Sequence, residues 1–144
     1  MSDPDSTPTD PVHLAIIHKR FLRMILDGTK TAEARLTKTR RAPYTGLDAG
    51  DRIYLKPPGG EVCAHAIAER VHRFEITCDA DLRRIRGRFW AMLGGSAADD
   101  YWTAKADARY ATVIELEGVT PIERAPSWYR PARDRSAWRL LRAA

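Results

Sequence analysis

Lys30, Glu33 and Arg35 stand close together in the chain and carry the means to bind and move charge. A lysine supplies a compact point charge for a phosphate and can take part in proton transfer. A glutamate accepts hydrogen bonds from a base amino group or acts as a general base. An arginine offers a planar fork that suits a phosphate or holds a neighbouring carboxylate in place. A second group follows directly: Lys38, Arg40 and Arg41, with Tyr44 beside them. Cationic charge for phosphates next to a ring for stacking is the combination that single-stranded nucleic acid requires. Tyr44 is also a candidate proton donor, and Trp102, after Tyr101, a candidate stacking ring. Simpler uses compete. Glu33 and Arg35 also fit an internal structural ion pair, the basic stretch a solvated loop, and the aromatic rings ordinary packing.

These residues need elements to position them. Residues 13–17 form an apolar run and are expected to be a buried strand. Phe21, Ile25 and Leu26 recur at helical spacing, and Gly28 follows as a C-cap, so a helix is expected over residues 18–27. After Gly28 the period changes to two, which predicts a strand reaching Leu36, although Ala and Glu are weak strand formers. Strict alternation from Lys30 puts it on the face opposite Glu33 and Arg35. A bulge, or Lys30 in the turn after Gly28, lets the three converge. Residues 52–56 and 61–74, joined by Pro57-Pro58-Gly59-Gly60, read as a hairpin. Leu82, Ile85, Phe89, Met92 and Leu93 mark an amphipathic helix with Asp79 as its N-cap. Its polar side carries Arg83, Arg84, Arg86 and Arg88, most simply a solvated face. A short helix over 98–105, a strand over 110–117, a loop over 121–131 and a closing helix over 133–141 with Trp138, Leu140 and Leu141 complete the expected order. Strands without regular βαβ alternation predict an α+β fold.

Composition narrows the classes. The chain has 144 residues, enough for one domain, and 44% are hydrophobic. Residues 1–12 contain Asp3, Asp5 and Asp10 and no Lys or Arg, and are rich in Ser, Thr and Pro, so they are expected to be a disordered tail before one domain spanning 13–144. The net charge is +5, so the rest of the chain stands at +8, an excess that attracts polyanions. Cys63 and Cys78 lie in no CxxC pattern, and His13, His18, His65 and His72 show no ligand spacing, so no metal and no cofactor are expected. No apolar run suits a membrane span and no leader is visible, which predicts a cytoplasmic protein with reduced thiols and no membrane partner. A P-loop is excluded, because the pattern before Lys30 lacks its glycines.

The segment Ile25-Leu26-Asp27-Gly28-Thr29-Lys30-Thr31-Ala32-Glu33-Ala34-Arg35 resembles the ASCH signature, a helix ending in Ile-x-x-Gly-x-Lys-Thr-x-Glu-x-Arg. Gly50-Asp51-Arg52-Ile53-Tyr54-Leu55 is similar to the strand opening of the same family, and Val113-Ile114-Glu115-Leu116-Glu117 to its late barrel strand. The resemblance covers about residues 13–117. It implies a PUA-like fold, a small mixed β-barrel with flanking helices. It also implies binding of RNA or another single-stranded nucleic acid in a basic cleft around Lys30 and Arg35, with Lys38, Arg40, Arg41, Tyr44 and Trp102 as further contacts. Some members resemble ribonucleases. A metal-independent hydrolase of that kind would use Lys30, Glu33 and Tyr44. Others resemble amidohydrolases acting on acetylated cytidine, with a Thr nucleophile three positions after the Lys. Here Glu33 stands at that position, a departure that counts against this activity.

Overall fold

A computed structural model of the chain describes residues 11–131 and 136–141. The elements run β1 (Val12–Ile16), α1 (Lys19–Asp27), β2 (Ala32–Thr37), β3 (Arg52–Lys56), β4 (Ala64–Glu75), α2 (Asp79–Phe89), a 3-10 turn (Gly95–Ala98), α3 (Asp99–Ala104), β5 (Tyr110–Pro121) and β6 (Trp138–Leu141). The strands join in one mixed sheet of order β2-β5-β4-β3-β1-β6. Among the described residues, only β1 and β3 pair in parallel. The register between β4 and β5 shifts twice, between His65 and Ile67 and between Ala68 and Arg70. Such bulges bend and twist long strands, and the sheet curls into a half-barrel with helices around it, the expected α+β architecture.

The period-two pattern sorts side chains among the core clusters, two of which flank the site. Inside the curl, Ile114 and Leu116 meet Ile53, Leu55, Ala64, Ala66 and Ala68, and α1 plugs the space with Leu22 and Ile25. On the other face, Ala32, Ala34, Leu36, Ala111 and Val113 pack under Leu82, Ile85, Phe89 and Trp102 of α2 and α3. The alanines that make β2 a weak strand by propensity give these helices a flat surface for close approach. Pairing with β5 along the whole of β2 supplies what propensity lacks.

Several boundaries differ from the sequence expectation. β1 begins at Val12, inside the expected tail, because its partner β3 pairs Arg52 with it. Residues 1–10 and 132–135, with most of that tail and the start of the expected closing helix, lie outside the described residues. The closing segment itself is a strand, not a helix: β6 pairs antiparallel with β1, from Val12–Leu141 to Ala15–Trp138. The free edge of β1 decides this, since it offers backbone partners that a lone short helix there would leave unmet. β4 starts at Ala64 rather than at residue 61. In α2, Asp79 is the first helical residue and Cys78 the cap, without a side-chain bond. Asp81 instead accepts from the Thr77 amide and hydroxyl, both at 2.9 Å.

One buried histidine ties β6, β1 and the turn before β3 together. His13 is fully buried. The Trp138 indole N–H donates to its Nδ1 at 3.1 Å. An indole nitrogen only donates, so Nδ1 carries no proton and Nε2 does. Nε2–H donates to Asp51 Oδ2 at 2.9 Å, and the same oxygen accepts the Asp48 amide at 2.9 Å. This explains the Gly50-Asp51 pair: Gly50 turns the chain at φ 94° and Asp51 anchors it. Asp51→Ala leaves a buried ring N–H without a partner and is expected to cost about 1–3 kcal/mol, read from urea unfolding.

Candidate functional site

Lys30 joins Glu33 and Arg35 because residues 29–31 are a turn, not a strand. Gly28 caps α1 at φ 87°. The Lys30 amide then donates to Met24 O at 3.1 Å, and the Thr31 and Ala32 amides both donate to Met92 O, at 2.9 and 3.1 Å. β2 starts only at Ala32, so Lys30 escapes the alternation that would set it on the far face. It is 4% exposed. Its Nζ donates to Leu93 O at 3.1 Å, lies 3.4 Å from Glu33 Oε1, and sits over the Phe21 ring, 5.3 Å from the centroid. Gly94, at φ 102°, follows Leu93 where the chain passes against α1; a Cβ there would lie 2.9 Å from Met24 Cε.

Glu33 is the centre of the group. Oε1 also accepts the Ala34 amide at 3.1 Å, and Oε2 accepts Arg35 Nη2 at 3.1 Å. Burial pushes this carboxyl up, but Lys30, Arg35 and the Ala34 amide outweigh it and hold it below its ordinary value of 4.5. Arg35 reaches further. Nη2 donates to Ile16 O at 2.8 Å and Nη1 to Ala137 O at 3.2 Å, with the guanidinium 5.5 Å from the Trp138 ring. One side chain of the edge strand β2 thus binds backbone at the end of β1 and just before β6, across the open side of the half-barrel. Tyr101 covers the same edge. Its hydroxyl accepts the Leu36 amide at 2.9 Å and donates to Ala34 O at 3.2 Å. Burial, partly offset by Arg35, pushes its pKa up to about 12.

The three charged residues form one wall of a cleft of about 180 Å³. Ile16, Ile17, Phe21, Leu93 and Ala98 make most of the rest, and His18 stands at the edge. The His18 ring also caps α1, its Nδ1 accepting the Arg20 amide at 3.3 Å. The charges come to +1, in apolar surroundings. A carboxylate has about four acceptor positions, and three donors lie on Glu33, one fewer than that number.

The other expected residues divide. Trp102, expected to stack on a base, lines the same cleft but is 4% exposed and packs into the core beneath α3. Tyr44, expected as a proton donor beside Lys30 and Glu33, does not line their cleft. Its ring packs against Tyr110 at 5.0 Å and under the Arg40 guanidinium at 5.6 Å. Lys38 pairs with Asp107 at 2.7 Å; with Arg41 and Lys105 these two line a separate groove of about 450 Å³. The basic loop and the Lys30 cleft are therefore two sites. The arginines of α2 are largely occupied: Arg84 bonds Asp81, Arg86 bonds Asp99 and lies on Trp90, and Arg88 lies on Phe89. Sequence reasoning missed His18, Phe21 and Leu93 as cleft residues. Their positions depend on how α1 and the segment after α2 dock, and no local pattern records that. Among the described residues, no group of three or more His, Cys, Asp or Glu is placed to hold a metal ion, and no helix is long and apolar enough to cross a membrane.

No family model matches the chain, and no curated protein matches it. Solved structures do. The crystal structure of ASCH from Zymomonas mobilis covers 90% of this chain and 87% of its own, with a TM-score of 0.65 at 18% identity. The fold is of the ASCH type. A variant of the same Zymomonas mobilis protein covers 97% of this chain and 92% of its own, at a TM-score of 0.64 and 18% identity. A protein from Enterococcus faecalis shares the fold more loosely, with a TM-score of 0.55 and 13% identity over 75% of this chain and 76% of its own. Residues Ile25 to Arg35 lie on α1, the turn and β2 of this fold.

Arg35→Met strips one donor from Glu33 and two from backbone carbonyls, and is expected to cost about 3–5 kcal/mol in urea unfolding. Glu33 has a folded value below its unfolded one. Its contribution to stability is therefore complete above pH 4.5 and lost as pH falls through the folded value. Glu33→Gln is expected to flatten the acid limb of a stability–pH curve; an unchanged limb would show that Glu33 is not linked to folding.

Proposed function

We propose that this chain is a nucleic-acid-binding domain, with RNA as the favoured ligand, whose cleft takes one unpaired base beside Lys30, Glu33 and Arg35. The observation that carries this reading is the ion group set in an apolar slot. Phosphate would find there a lysine and an arginine already committed to a carboxylate. A base finds apolar walls for its faces, the Glu33 carboxylate as acceptor for an amino group, and cationic donors for a carbonyl oxygen. The net charge of the chain beyond its acidic start supplies the sequence-independent attraction. Both thiols, Cys63 and Cys78, are free, in keeping with a cytoplasmic setting.

The same group suits binding better than proton abstraction. A general base for the 2′-hydroxyl works best with a pKa near the operating pH. Glu33 is held the other way, and the Tyr101 hydroxyl, bonded on both sides, is pushed up to about 12. Tyr44, the proton donor of the hydrolase alternative, does not line the cleft. These features support a binding module over the ribonuclease.

Labelled single-stranded RNA incubated with the protein in EDTA tests both at once. Retardation without cleavage, weakened by added salt and about tenfold by Lys30→Ala in a variant shown to be folded, is the expected result. RNA cleavage that disappears in Glu33→Gln would replace the binding reading with a hydrolase. Absence of both binding and cleavage would remove the nucleic-acid reading altogether.

A further inference from the structure

The groove of Lys38, Arg41 and Lys105 shares its walls with the cleft. Residues of β2 and of α3 with its C-terminal end contribute to both. Ala34 and Arg35 belong to the cleft, Leu36 and Thr37 to the groove; Tyr101 and Trp102 belong to the cleft, Ala104 and Lys105 to the groove. Lys105 reaches back over the Tyr101 ring, 6.0 Å from its centroid, while the hydroxyl of that tyrosine closes the edge of β2 beside the cleft. At about 3.3 Å per residue, Glu33 and Thr37 are roughly 13 Å apart along the strand. A chain with its base in the cleft has only a few nucleotides to run before reaching the groove.

The two sites differ in how their charge is held. In the cleft the cations are spent on Glu33 and on backbone carbonyls. In the groove Asp107 is the single acidic lining residue, and Lys38 takes it in an exposed pair. Arg41 is exposed and, like Lys105, makes no salt bridge among the described residues. On α2, by contrast, Arg84 and Arg86 are paired with aspartates.

Resting on the base-binding reading of the cleft, we infer that this groove is the track for the sugar–phosphate backbone, with Arg41 and Lys105 as its phosphate contacts. Lys105 was not visible as a binding residue in the sequence. Arg40 and Tyr44, which stand near Arg41 in the chain, are not part of the track, because Arg40 packs on Tyr44 and Tyr44 on Tyr110 outside the groove.

The test is fluorescence anisotropy of labelled single-stranded oligouridylate of roughly ten nucleotides across a salt series. The full chain is compared with the double variant Arg41→Glu/Lys105→Glu and with a charge-matched control on α2, Arg83→Glu/Arg88→Glu. Circular dichroism and thermal unfolding check that each is folded. The groove variant is expected to bind about tenfold or more weakly and to lower the slope of log K against log salt by roughly 1.4, two contacts at about 0.7 each. The control should keep a slope closer to that of the parent. Binding by the parent with equal losses in both double variants, or with none in either, overturns the track and leaves the cleft reading standing. Absence of parent binding overturns both.

Discussion

The group Lys30–Glu33–Arg35 is the constraint on which the open side of this half-barrel depends. The outermost strands β2 and β6 do not pair with each other. Arg35 bridges them instead, through Ile16 O, Ala137 O and the Trp138 ring. An ion group out of water is costly, and it is sustained only when nearly every donor and acceptor is met. Here the carboxylate has three donors, and the lysine has a carbonyl and a ring besides the carboxylate. Such a group is intolerant of displacement, and for that reason it can hold a cleft in one shape.

A second consequence follows from where charge is left over. The protein is basic, and part of that charge is neutralised locally: Lys30 and Arg35 on Glu33, Arg70 on Glu115, and Arg84 and Arg86 on the aspartates around α2. In the polar groove Arg41 and Lys105 make no salt bridge among the described residues. A slot whose cations are spent on a carboxylate, beside a groove with two cations beyond its one ion pair, supports the proposed division between a planar base and a charged backbone.

Much of the fold was legible. The helix before Gly28, the strand at 52–56 and the helix with Leu82, Ile85 and Phe89 follow from period and from turn residues, which are local properties. β2 was legible in spite of its alanines because the alternation continues to Leu36. The failures share a cause. The segment with Trp138 and Leu141 was read as a helix, yet the empty edge of β1, formed by residues more than a hundred positions earlier, makes it a strand. Trp102 was weighed as a stacking ring against simple packing, and the alanine face of β2 and β5 holds it largely buried while it lines the cleft.

The candidate site divides in the same way. By itself the sequence determined that Lys30, Glu33 and Arg35 are neighbours of complementary charge and that a glycine-ended helix precedes them, because six consecutive residues cannot separate far. Tertiary structure decided whether they meet. Met92 O, presented by the turn after α2, draws the amides of Thr31 and Ala32 and delays the start of β2 by two residues, which brings Lys30 round to Glu33. Only the docking of α1, the 3-10 turn and α3 supplies the apolar walls, and only the shared flank of β2 and α3 sets the groove beside the cleft. Contacts between distant segments leave no period in a single sequence, so the charges could be read there and the space between them could not.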